Sequence, residues 1–163
     1  MTNLDARLAG YHPPVLSAFR IIFGLLYTLH GSMKLFGWPF DQAAPTGAWP
    51  YWWAALIEFV LGILITVGFF TRIAAFIASG EMAFAYFYQH WPPLSGGGKT
   101  ASFWPFDPAV GGNGGELAIL YCFAFLLIAT TGAGTLSADG RRRPVARRTT
   151  TTGMTAAAPR RLV

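Results

Sequence analysis

The sequence predicts an all-α integral membrane protein built as a four-helix bundle, and three observations carry that reading. Of 163 residues, 53% are hydrophobic and only 12% charged, about half the charge of ordinary soluble domains. Four apolar segments are each about long enough to cross a bilayer. Five ionisable side chains, Arg20, Lys34, Glu58, Glu81 and Glu116, lie inside or at the rim of those segments. A charge at the hydrocarbon centre costs roughly 2.5 to 3.5 kcal/mol on insertion scales, so such residues pair with one another or line a polar cavity.

In order along the chain, residues 1–14 form an N-terminal segment, and helices are expected over about 15–38, 49–70, 73–89 and 116–134, inside a transmembrane domain of 15–139. Helices satisfy every backbone group within the segment, as hydrocarbon demands. Residues 140–163 are rich in Arg, Thr, Ala and Pro without apolar periodicity, and are expected to be a disordered tail. Seven of the twelve basic residues fall after position 140, Arg7 precedes the first helix and Arg72 lies between the second and third. The positive-inside rule puts both termini in the cytoplasm. Two longer loops, Pro39 to Pro50 and Trp91 to Gly115, then lie on the outer face. The tail arginines Arg141, Arg142, Arg143, Arg147 and Arg148 suit anionic lipid or an acidic partner.

Several function classes fall away. The first apolar run is too long for a signal-peptide h-region and is interrupted by Arg20. The single cysteine, Cys122, sits among apolar residues and cannot cycle an internal disulfide. Gly96-Gly97-Gly98-Lys99-Thr100 lacks the strand, glycine spacing and following helix of a phosphate-binding loop. No metal site is expected, and nucleic-acid binding has neither interleaved aromatics nor a folded reading module behind it. The string Trp38-Pro39-Phe40-Asp41 recurs as Trp104-Pro105-Phe106-Asp107 in the two outer loops. It either records a duplicated hairpin or reflects the aromatic composition of membrane interfaces.

Within the first helix, Arg20, Gly24, Tyr27, Gly31 and Lys34 follow at spacings of four and three and share one face. Glycines there let a second helix approach closely, and the two cations point into the bundle. Carboxylates to neutralise them come from three other helices: Glu58, Glu81 and Glu116. His30 lies near the same face, and Asn113 precedes the fourth helix. Glu116 is also placed to complement a helix dipole. Together Arg20, His30, Lys34, Glu58, Glu81, Asn113 and Glu116 form either a polar pocket opening outward or a buried ion-pair cluster. Aromatic side chains crowd the outer level, so the pocket would suit a quinone head group.

Six motifs in order carry a family resemblance: Arg20-Ile-Ile-Phe-Gly24 with His30-Gly31-Ser-Met-Lys34, Glu58-x-x-x-Gly62, Gly68-Phe-Phe-Thr71-Arg72, Met82 with Ala85-Tyr86, Asn113-Gly-Gly-Glu116, and Gly132-Ala-Gly134 with Ser137-Ala-Asp139. Over roughly residues 13 to 140 the chain resembles the DoxX family of small four-helix bacterial membrane proteins. The resemblance implies the cytoplasmic (inner) membrane, multiple spans and association with redox complexes, including a likeness to the small subunit of a thiosulfate:quinone oxidoreductase. The chain has no redox centre of its own: no paired cysteines, no flavin or nucleotide fingerprint, no evident haem pair. Two readings stand. One is an accessory subunit of a quinone-linked membrane complex, with quinone as ligand and no resident cofactor. The other is a structural subunit that docks onto other membrane proteins, its buried ion pairs fixing the bundle. Transport through a dimer is a third and weaker one.

Overall fold

The computed structural model describes residues 3–96, 100–110 and 114–142, with the side chains of Ser95 and Arg142 excepted. Among the described residues the protein is all-helical, with no strand. Four long helices form it: α1 (Asn3–Phe36), α2 (Tyr51–Val67), α3 (Thr71–Ala85) and α5 (Glu116–Thr131), with two short ones, α4 (Pro92–Ser95) and α6 (Ala138–Arg142). A π-helical turn, Tyr86–His90, prolongs α3.

The boundaries differ from the sequence expectation for local reasons. The first helix starts at Asn3 and runs through Pro13 and Pro14. Prolines lack the N–H that a helix interior uses, and here the Ser17 hydroxyl donates to the Pro13 carbonyl at 3.0 Å. Gly37, at φ 68°, turns the chain just past its end. Gly68 closes α2 in the left-handed region at φ 75°, its N–H donating back to Leu64 and Ile65. Gly132, at φ 96°, stops the last long helix at Thr131 rather than 134. Among the described residues only α1 is by itself long and apolar enough to cross a membrane; α2 and α5 are apolar but shorter.

Antiparallel α1 and α2 form the most extensive contact, α3 packs along α5, and α2 against α3 joins the two pairs. Glycines set the first crossing. A Cβ on Gly24 would lie 2.7 Å from the Thr66 backbone nitrogen, one on Gly31 2.5 Å from that of Phe59, and one on Gly62 2.6 Å from that of Thr28. The helices therefore touch backbone to backbone, as small residues permit in membranes. Thr28 and Thr66 turn their hydroxyls onto their own helices, to the Gly24 and Gly62 carbonyls. At the centre Tyr27, Ile65, Ala78, Met82, Tyr121, Phe125 and Ile128 make one core.

Candidate functional site

The register that the glycines fix decides which charges meet. With Gly31 against Phe59, the next turn of α1 carries Lys34 past Glu58, and the Lys34 ammonium forms an ion pair with Glu58 Oε1. Glu58 is 2% exposed, whereas the Lys34 side chain retains 31%. The residues after α1 fold back over it, Ala44 donating its N–H to the Lys34 carbonyl at 2.8 Å. A cavity of 330 Å³ results, lined by Lys34, Gln42, Ala44, Pro45, Ala48 and Tyr51. The Tyr51 hydroxyl donates to Gln89 Oε1 at 2.7 Å, tying the start of α2 to the π-helical turn.

Glu81 enters from α3, partly buried, and accepts a 2.6 Å hydrogen bond from the Tyr27 hydroxyl. It lies within electrostatic reach of both Glu58 and Lys34. Tyr121 of α5 closes the group: its ring stands edge-on to His30 with centroids 5.8 Å apart and lies 5.9 Å from Tyr27. Tyr27, His30, Lys34, Glu58, Glu81 and Tyr121 thus form one cluster drawn from all four long helices. Glu58 Oε2 is the single buried side-chain oxygen or nitrogen without a hydrogen-bond partner among the described residues.

Arg20 does not join them, which corrects the expectation that it would face Glu58 or Glu81; the carboxylate within its electrostatic reach is Asp139 of α6. It lies fourteen residues before Lys34 on α1, about 21 Å along the axis. There it is fully buried, and its guanidinium donates to four carbonyls: Ile65 and Thr66 at the end of α2, and Ala133 and Leu136 in the segment after α5. The terminal carbonyls of a helix lack intrahelical donors and carry partial negative charge, so a cation is favoured there, and Asp139 adds a favourable charge nearby. Arg72 does the same for α5, donating to Ala129, Thr130 and Thr131. Asp139 performs the converse at the start of α3, accepting from the Phe70 and Thr71 N–H groups and the Thr71 hydroxyl.

Glu116 also stays outside the cluster, exposed in the first turn of α5. Asn113, Arg143, Arg147, Arg148 and the Arg142 side chain lie outside the described residues; Arg141 is exposed in α6. His90 is buried at the far end of the π-helical turn, its Nδ1 3.2 Å from the Thr100 carbonyl. Among the described residues, no three His, Cys, Asp or Glu side chains are grouped to hold a metal ion. Sequence reasoning placed Tyr27 on the charged stripe without giving it a role, and passed over Tyr121. The buried face of α5, Ala118, Tyr121, Phe125 and Ile128, was the available signal, since it carries one hydroxyl on an otherwise apolar stripe.

The DoxX family model matches residues 15–91, which contain α2, α3 and the charged half of α1. An uncharacterized protein of Haemophilus influenzae is 38% identical over 144 residues, covering 86% of this chain and 97% of its own. No solved structure is a significant match.

Proposed function

The chain belongs to the DoxX family of small membrane proteins, and from that premise we propose that it serves a quinone-linked redox complex as an accessory subunit of the bacterial cytoplasmic membrane. In this reading all four long helices span the bilayer. The 17 residues of α2 reach about 26 Å, close to the roughly 30 Å of hydrocarbon. Outward-facing Val60, Ile63, Phe76, Ile77, Phe84, Leu120, Phe123 and Leu127 suit lipid contact. The positions of Arg7 and Arg72, with the arginine-rich sequence after position 140, support a cytoplasmic location for both termini. Residues 37–50 and 91–115 then lie outside.

The observation that carries the reading is the Lys34–Glu58 ion pair, whose lysine lines the cavity bordered by Gln42 and Tyr51. A quinone head group there would meet the Lys34 ammonium, which stabilises negative charge developing on its oxygen, while Glu58 supplies or accepts a proton through Lys34. The chain brings no electron donor, so a partner subunit reduces or oxidises the ring. Purified protein in lipid nanodiscs should bind a quinone analogue saturably, and Lys34→Ala and Glu58→Gln should each weaken binding at least tenfold. Unsaturable partition into lipid, indifferent to both substitutions, would reject this reading.

The Arg20 junction favours the second reading, a purely structural subunit. A fully buried guanidinium holding three segments together fixes bundle geometry and needs no ligand. Co-purification of a stable larger complex, unaffected by loss of quinone binding, would support it.

A further inference from the structure

We propose that Glu58 and Glu81 hold one exchangeable proton between them, loaded from the outer cavity by way of Lys34. The site binds that proton whatever ligand occupies the cavity, so the inference does not rest on the quinone reading.

The argument begins with the groups that face the two carboxyls. From α1 come Tyr27 and Lys34, and from α5 Tyr121, whose ring meets His30; α2 and α3 contribute Glu58 and Glu81 themselves. Two acids therefore stand against one lysine. If both were ionised, one negative charge would be left without a counter-ion inside the membrane, and a single proton removes it. The oxygens are not equivalent. Glu58 Oε1 accepts from Lys34 and Glu81 Oε2 accepts from Tyr27. Glu58 Oε2 is buried with no donor, and a bare carboxylate oxygen in such surroundings is costly. With the proton on Glu58, the Tyr27 hydroxyl supports ionised Glu81. With the proton on Glu81, the Lys34 ammonium supports ionised Glu58. These are two microstates of one titration shared by the pair.

Loading requires only proton movement. An N–H bond of Lys34 breaks as its proton passes to Glu58 and forms an O–H bond there, and the amine takes up a proton delivered as hydronium from the medium through the cavity. Transfer to Glu81 breaks that O–H bond and forms another. No electrons move, and the net change is one proton gained.

Infrared difference spectroscopy on ligand-free protein in nanodiscs tests this. A pH step should reveal one protonated-carboxyl C=O band that shifts when the medium is exchanged to D2O. Glu58→Gln and Glu81→Gln should each abolish it, because the remaining acid is then balanced by Lys34. Lys34→Met should roughly double its area, since neither acid then has a cation. Helical content and a single elution peak establish that each variant is folded, and the native band with its Lys34→Met response remains decisive if one Gln variant is not. Absence of the band from the native protein at every pH where it stays folded overturns the proposal. So does a band that survives Glu58→Gln unchanged, which would place an isolated proton on Glu81.

Discussion

The guanidinium of Arg20 donates to the carbonyl of Ile65, so a charge carried on α1 closes the C-terminal end of α2. The same side chain reaches Ala133 and Leu136, and one residue ties three chain segments together. Hydrogen bonds from a charged donor contribute about 1.5 to 3 kcal/mol each, and carbonyls left without a donor add a penalty. Arg20→Met should therefore cost at least about 3 kcal/mol, with Arg20→Lys recovering part of the loss. Thermal or denaturant unfolding in detergent measures both; a change below about 1 kcal/mol would contradict the junction.

Lys34 and Glu58 should behave differently, because each is the other's only ion-pair partner among the described residues. Removing Lys34 alone takes the donor from buried Glu58 Oε1 and forces that acid to take up a proton, whereas removing both partners together leaves no such mismatch and is milder. Lys34→Gln alone is expected to destabilise more than Lys34→Gln combined with Glu58→Gln. A double-mutant cycle on unfolding free energy gives the coupling directly.

The glycines separate by what surrounds them. Gly31→Ala forces a methyl against the Phe59 backbone, while a methyl at Gly10 meets nothing within 4 Å. The first should loosen the α1–α2 contact and lower the melting temperature. Gly10→Ala should stabilise the exposed start of α1 by about 0.5 to 1 kcal/mol, the usual gain over glycine in a helix.

In the 91–115 loop, the Ser102 hydroxyl and then the Ala109 N–H donate to Asp107 and hold its carboxyl below the usual carboxylate range. Because the folded-state value is the lower one, the stabilisation is present at neutral pH and is lost as pH falls through that depressed value. The protection of the Ala109 amide, its exchange rate relative to the intrinsic rate at the same pH, should fall in acid. Asp107→Asn should show lower protection already at neutral pH, and little further loss in acid.

Asp139→Ala removes the acceptor for the Phe70 and Thr71 N–H groups. Loss of such a helix-start cap costs about 1 kcal/mol. Exchange protection should fall in the first turn of α3 and stay unchanged in the Glu58 cluster.

Spacing alone determined a good deal of this molecule. The stripe Arg20, Gly24, Tyr27, Gly31 and Lys34, of which the first four are buried and Lys34 is half-buried, was legible because helical periodicity fixes which side chains share a face. The existence and order of the long helices, and the family, were legible from apolar runs and from motifs in sequence order. Which groups meet across faces was not, because that depends on how far one helix slides and rotates against another. Gly31 against Phe59 sets that slide for α1 and α2; it delivers Lys34 to Glu58 and carries Arg20 to the carbonyl end of α2. A sequence counts charges and invites every base to seek an acid. Only the tertiary structure decided that Arg20 is satisfied by backbone carbonyls, that Glu81 takes its hydrogen bond from Tyr27, and that Glu116 stays at the surface. Burial in a low-dielectric interior rewards whichever donor or acceptor lies within reach, charged or not.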